Sequence, residues 1–226
     1  MLIVIPDVLN AAELASFRTQ LAAAPWQDGR TTAGHQSARA KRNQQLAEDD
    51  PTALALGEAL ARTLGRIPLF MSAALPQRIF PPVFSRYRAE SGDRFGNHVD
   101  NAIRYGARGT IRTDLSATLF LSPPDAYDGG ALVIDDVFGP REVRLPAGSM
   151  VLYPSSSLHR VTQVTRGERL AAVMWMQSLV RDEGRRRILF DLDSTLQDLA
   201  ADLQDDPRIL SLTNVYHNLV RRWADP

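Results

Sequence analysis

Apolar and polar positions are spaced in two different ways along this chain, and the change comes near residue 83. Leu2 to Ile5 reads as a short strand that Pro6 stops. Asn10 is placed to cap a helix carrying Leu14, Phe17 and Leu21 on one face, ended by Pro25-Trp26. Pro51 to Leu64 predicts a second helix, with Pro in its first turn and Leu54, Leu60 and Leu64 on its apolar side. Gly65 fits as its stop. Residues 27–45 are polar and irregular and predict a long loop, with His35 exposed in it. Pro68, Pro76 and Pro81-Pro82 punctuate a connector.

Beyond residue 83 the chain breaks into short β-like runs: 83–88, 115–121, 131–134, 142–145, 150–153, 159–164 and 170–176. Turn signals separate them, among them Pro123-Pro124, Asp128-Gly129-Gly130, Gly139-Pro140, Gly148 and Arg166-Gly167. Short strands at this spacing, without intervening helices, predict an α+β, mainly β chain built on a sandwich or jelly roll. Runs 115–121 and 170–176 are the most apolar and should form its buried centre. After Val180 leucines return to helical spacing in Ser194 to Leu203 and Ile209 to Trp223, and Arg185-Arg186-Arg187 reads as a solvated basic face. The expected division is 1–77 as a bracing strand and helices, 78–180 as the core, and 181–226 as a helical appendage. The apolar C-terminal helices make a homodimer a reasonable expectation.

Composition narrows the chemistry. The chain has 226 residues and no cysteine, which excludes disulfides and thiolate metal sites. Any metal must be held by His and carboxylates. Lys+Arg and Asp+Glu both number 26, so no global basic field recruits nucleic acid. The apolar start, Met1 to Ile5, is too short for a secretory signal or a membrane span, and no later stretch reaches spanning length without charge. The expectation is a cytoplasmic protein that binds neither nucleic acid nor membrane.

His98-Val99-Asp100 puts an imidazole and a carboxylate two residues apart, which on extended chain share a face. Such a tripeptide is weak on its own. His159 starts a later predicted strand, 61 positions on, and Arg169 follows ten residues after it. Two His and one carboxylate make a facial triad suited to non-haem Fe(II), with three positions left open, although zinc accepts the same ligands. Alone, Arg169 after a turn is a surface residue. Beside a metal triad it fits a barrel-mouth guanidinium gripping an anion in two bonds, as the distal carboxylate of 2-oxoglutarate would provide. The keto-acid end would then take two open metal positions and O2 the third. Tyr87, on the strand before His98, could donate a second hydrogen bond to that carboxylate. Asn101, Arg104 and Arg112 follow the motif and either line the entrance or form an exposed polar cluster.

The stretches Tyr87 to Arg104, Arg112 to Leu121, Tyr127 to Gly130, Leu145 to Pro154 and Ser156 to Arg169 resemble the bacterial PKHD-type hydroxylases. So do the N-terminal Leu2 to Leu9 and the C-terminal Thr213 to Trp223. This is a prolyl 4-hydroxylase-like branch of the Fe(II)/2-oxoglutarate dioxygenases. The resemblance implies a double-stranded β-helix (jelly roll) braced by N-terminal helices, with a small helical C-terminal region. It implies that His98, Asp100 and His159 bind iron, that Arg169 binds 2-oxoglutarate, and that L-ascorbate serves as accessory reductant. It implies hydroxylation of a C–H bond in a peptidyl Pro or Lys or in a small molecule, with succinate and CO2 as co-products and an association with iron uptake. A jelly-roll sensor that binds iron or 2-oxoglutarate without turnover, and a zinc or manganese enzyme without 2-oxoglutarate, are the alternatives.

Three other features carry less. Asp191-Leu192-Asp193-Ser194-Thr195 matches a phosphatase signature, but only 31 residues follow Thr195; Asp193 or Ser194 fits better as a helix cap. His217, beside Leu219 and Val220, reads as a structural His. Trp26, Trp175 and Trp223 read as core or interface residues, with Trp175 packing inside.

Overall fold

The computed structural model describes residues 1–32, 39–106, 109–203 and 206–226; His35 lies outside them. In chain order the elements are β1 (Ile3–Ile5), α1 (Ala11–Ala22), β2 (Gln27–Asp28), a 3-10 turn (Gly29–Thr32), β3 (Lys41–Arg42), β4 (Gln44–Gln45), α2 (Pro51–Leu64) and α3 (Pro68–Ala74). The strands β5 (Pro76–Ile79), β6 (Val83–Arg88), β7 (Arg94–His98), β8 (Ile103–Gly106), β9 (Gly109–Arg112), β10 (Leu115–Phe120) and β11 (Tyr127–Gly129) follow. Then come β12 (Leu132–Asp136), β13 (Gly139–Val143), β14 (Met150–Pro154), β15 (His159–Val161), β16 (Val164–Ser178), α4 (Glu183–Asp202) and α5 (Pro207–Trp223).

Asn10 caps α1 through a reciprocal box: its side chain accepts from the Glu13 N–H, and the Glu13 carboxylate accepts from the Asn10 N–H. Asp50 caps α2, with Pro51 at its first position. The buried face of α2 is Ala53, Leu56, Leu60 and Leu64, so Leu56 rather than Leu54 completes the stripe.

Among the described residues two antiparallel sheets face each other. The larger follows the order β1-β14-β10-β16-β6-β4-β2, with β5 and β11 also paired to β16, and the smaller runs β13-β12-β15-β7-β3. Strand alternation divides the larger sheet into two layers. Phe84, Leu115, Ala117, Leu119, Met150, Leu152, Leu170, Ala172, Met174 and Met176 pack with the buried faces of the helices. Their neighbours Tyr87, Phe120, Val151 and Tyr153 point the other way, into the barrel with Leu132, Ile134 and Val161 of the smaller sheet. Every residue of β10 is buried, as its composition predicts.

Four expectations change. The polar stretch 27–45 is not all loop: β2 and β4 extend the larger sheet, and β3 pairs with β7 in the smaller one. Two-residue strands have no hydrophobic periodicity to read. The connector holds α3, which Pro68 starts and Leu75, at φ 42°, ends. The Arg166-Gly167 turn lies inside β16, where Gly167 takes φ 69° and pairs with Tyr127; a Cβ there would stand 2.1 Å from the Ala126 carbonyl oxygen. Finally, α4 begins at Glu183 under an Asp182 cap, so Asp193 and Ser194 lie mid-helix. Arg186 is correspondingly not solvated: it is 2% exposed and donates to the carbonyls of Val180 and Arg181.

Candidate active site

The smaller sheet brings the predicted ligands together. β15 pairs directly with β7, and His159 stands opposite His98 in the register. The imidazole centroids are 4.1 Å apart. Asp100 lies two residues beyond the end of β7, and His159 Nε2 is 3.8 Å from its Oδ2. Ligand atoms of His98, Asp100 and His159 all fall within 4.8 Å of one another.

Neighbouring groups set each ligand's orientation. His98 Nδ1 donates to the Gly96 carbonyl at 2.8 Å, and His159 Nδ1 to the Ser157 carbonyl at 3.0 Å. A carbonyl can only accept, so each Nδ1 carries a proton and Nε2 is the ring nitrogen left to face a metal. Ser116 Oγ, from the interior face of β10, donates to Asp100 Oδ2 at 2.6 Å and is itself 2.7 Å from Ser155 Oγ. Phe95 stacks on the His98 ring at 3.5 Å. Burial, and then the charge of His159, push His98 down to about 4, so its imidazole is neutral at pH 7 as a ligand must be.

Arg169 lies on β16, facing Tyr87 of β6 in the register. It is 1% exposed. The rings of Tyr87 and Phe120 flank its guanidinium at 5.4 and 5.2 Å, and its Nε and Nη2 have no hydrogen-bond partner. Buried N–H groups of a cation are rarely left so, because their desolvation is uncompensated. The hydroxyl of Tyr127 is a further buried orphan. A Cβ on Gly130 would sit 3.1 Å from Arg169 Cδ and 3.2 Å from Tyr127 Cε2, which places the two side chains around one glycine. Burial raises the Tyr87 pKa, so its phenol keeps its proton and remains a donor.

A cavity opens onto the triad. Val83, Ser85, Tyr87, Thr118, Tyr153, Val173 and Trp175 line its larger-sheet wall, and Phe95, Leu132 and Val161 line the other. Lys41, Asn101 and Arg104 stand around it as well. Tyr87, not Arg169, forms the cavity wall at the inner end.

The chain's relatives decide which chemistry this geometry serves. Residues 82–177 match the 2OG-Fe(II) oxygenase superfamily, and residues 183–225 match the PKHD-type hydroxylase C-terminal domain. A PKHD-type hydroxylase of Burkholderia lata is 56% identical over 229 aligned residues, with 100% of both chains covered. The chain belongs to the PKHD-type hydroxylases. It is thus an Fe(II)- and 2-oxoglutarate-dependent dioxygenase, an oxidoreductase that hydroxylates. Two solved structures share its jelly-roll fold at low identity. HygX of Streptomyces hygroscopicus, with nickel, 2-oxoglutarate and hygromycin B bound, superposes with a TM-score of 0.56 at 14% identity, covering 79% of this chain and 84% of that one. A Trichoplax adhaerens prolyl hydroxylase, in complex with a hypoxia inducible factor peptide fragment, gives 0.54 at 16%, covering 83% and 86%.

The residues of this PKHD-type chain fit the iron and 2-oxoglutarate that the family uses. The donor set is two imidazoles and one carboxylate, and a buried cation with orphaned donors faces the same barrel interior. Of the three residues placed after the motif, Asn101 and Arg104 line the cavity. Arg112 does not: it is bound to Asp114 and to the Ser178 carbonyl. His217 is exposed rather than structural, with its ring against that of Tyr216. Asp191 and Thr195 sit within α4, Thr195 Oγ1 bonding the Asp191 carbonyl, which removes the phosphatase reading. Ser116, Ser155 and Phe95 went unread as site residues. The signal for Ser116 was a hydroxyl within an apolar run; for Phe95 there was none.

Proposed function

We propose that His98, Asp100 and His159 hold the ferrous ion and that Arg169, with Tyr87, holds the distal carboxylate of 2-oxoglutarate. The observation that carries this reading is the unpartnered buried guanidinium of Arg169 behind a two-histidine, one-carboxylate cluster. When bound, iron and 2-oxoglutarate supply the oxidising power, with succinate and CO2 released and one oxygen atom placed on a substrate carbon. The chain's share is positional. The Gly96 and Ser157 carbonyls fix the two imidazole tautomers, and Ser116 fixes the rotation of the Asp100 carboxylate. Arg169 Nε and Nη2 orient the co-substrate from its far end, and Tyr87 adds a neutral donor. The apolar wall of Val83, Val173, Phe95 and Leu132 keeps water from the reacting carbon.

The substrate carbon lies in a peptidyl Pro or Lys or in a small molecule linked to iron uptake. The Trichoplax enzyme, in complex with a peptide, and HygX, with hygromycin B bound, support peptide and small-molecule substrates on this fold, while the link to iron uptake rests on the resemblance. Ascorbate, as in the resemblance, would return oxidised iron to the ferrous state. The cytoplasmic location stays an inference from the sequence; among the described residues no helix is long and apolar enough to cross a membrane. The spans of the two family matches support the division at about 180. Exposed Leu210, Leu212 and Val215 on α5 support a homodimer, which sedimentation of the full chain tests.

Succinate release, measured with and without iron and 2-oxoglutarate, tests the assignment. His98→Ala and Asp100→Ala should each cut it at least a hundredfold. A variant that kept full release would overturn the metal assignment, and a wild type that bound 2-oxoglutarate without ever releasing succinate would leave the sensor reading in its place.

A further inference from the structure

The barrel carries two sets of cations, at opposite ends of the same strand face. Arg169, Ala171, Val173 and Trp175 share the interior face of β16 by alternation. Arg169 and Trp175 are six steps apart along the strand, roughly 20 Å at ~3.3 Å per step. Asp100 is bonded to Ser116, and Ser116 stands opposite Trp175 in the register. The metal cluster therefore lies toward the Trp175 end, with Arg169 farther in.

At the Trp175 end the guanidinium of Arg104 is stacked 3.8 Å above the Trp175 ring and 4.8 Å from the Phe80 ring. Arg104 lines the cavity there. Nη2 reaches the rim carboxylate of Glu48 at 3.3 Å, while Nε is buried with no partner. Across the cavity Lys41 Nζ lies 5.4 Å from the Phe95 ring, and its ammonium donates to Gln45, which in turn donates to Ser85. Burial lowers the pKa of both cations, and each also feels the charge of Asp100.

Charge bookkeeping then points outward. Bound iron takes the charge of Asp100. The two carboxylates of 2-oxoglutarate are met by iron and Arg169. Asp28, which also faces Lys41, is held by Arg30. Among the described residues, Glu48 is the carboxylate paired with Arg104, and it takes Nη2 and leaves Nε open. A short diacid held at Arg169 cannot also reach Arg104 at the other end of the strand.

We propose that the hydroxylated substrate is an anion whose carboxylate is received by Arg104, with Lys41 as the second cation, while its target carbon rests on the apolar wall beside the metal. This rests on the assignment of iron and 2-oxoglutarate above. Arg104 is then a specificity-determining residue: Trp175 and Phe80 hold its fork flat, and a carboxylate takes Nε and displaces Glu48 from Nη2.

Hexanoate and hexanamide, alike in shape and different in charge, are the probes. They are titrated anaerobically into the full chain loaded with Mn(II) and 2-oxoglutarate, and binding is read from the paramagnetic relaxation of the probe protons. Wild type should prefer hexanoate at least tenfold, Arg104→Gln should erase the preference, and Glu48→Gln, which frees Nη2, should tighten hexanoate about threefold. Equal binding of the two probes, no binding of hexanoate, or a preference that survives Arg104→Gln would overturn the proposal. Titration of 2-oxoglutarate alone separates the two readings. If it fails to bind wild type, or binds Arg169→Gln equally well, the co-substrate assignment fails. If it binds as expected and hexanoate is not preferred, only the anionic-substrate inference fails.

Discussion

A guanidinium that is 1% exposed, with two N–H groups unpartnered, costs folding energy that a ligand can return. Arg169→Leu should therefore stabilise the ligand-free protein by roughly 1 kcal/mol or more, since an apolar side chain of similar bulk replaces an uncompensated charge. The same change should abolish stabilisation by 2-oxoglutarate, which at about a hundred times its Kd would give wild type about 2.7 kcal/mol. Denaturant titrations with and without 2-oxoglutarate check both; a variant less stable than wild type would mean that Arg169 already has a partner. His98 makes a second residue-scale prediction. Its folded form takes up a proton near pH 4, while the unfolded chain does so near 6.5. Between those values the unfolded state binds more protons, so stability of the metal-free protein should fall as pH drops through that window and be steady above it. Thermal melts against pH should show this slope, and His98→Leu should flatten it.

At the scale of elements, what could be read in the sequence was what periodicity and end signals encode. α1 was legible because Asn10 caps it, and α2 because Pro51 opens it and Gly65 stops it. β10 and the 170–176 part of β16 were legible because each is a mostly apolar run that is buried along most of its length, whereas the exposed Thr165 to Gly167 near the start of β16 read as a turn. The two-residue strands β2, β3 and β4 were not, because pairing to β6 and β7 creates them and no local pattern does. α4 was read too short because Arg185 to Arg187 looks solvated, although Arg186 turns back under the helix start. The triad was visible as residue types, but only the β7–β15 pairing, unreadable from spacing, makes His98 and His159 neighbours. Arg186→Ala should strand the Val180 and Arg181 carbonyls and cost roughly 3 kcal/mol; a loss under about 0.5 kcal/mol in chemical denaturation would show that the anchor of α4 lies elsewhere.

For the whole molecule, the two sheets divide the work. The larger sheet packs its outer face on the helices and offers an inner face that carries Arg169 at one end and Trp175 at the other. The smaller sheet brings the ligands to that inner face. On the proposed assignments the sites fall in a line: co-substrate anion, metal, then substrate. Diffraction from crystals loaded anaerobically with Mn(II) and 2-oxoglutarate tests this arrangement most directly. The account predicts one anomalous peak within bonding distance of His98 Nε2, His159 Nε2 and the Asp100 carboxylate, and the distal carboxylate of 2-oxoglutarate on Arg169 Nε and Nη2. A metal bound away from any of these three ligands, or a co-substrate carboxylate seated on Arg104 with Arg169 left empty, would contradict it.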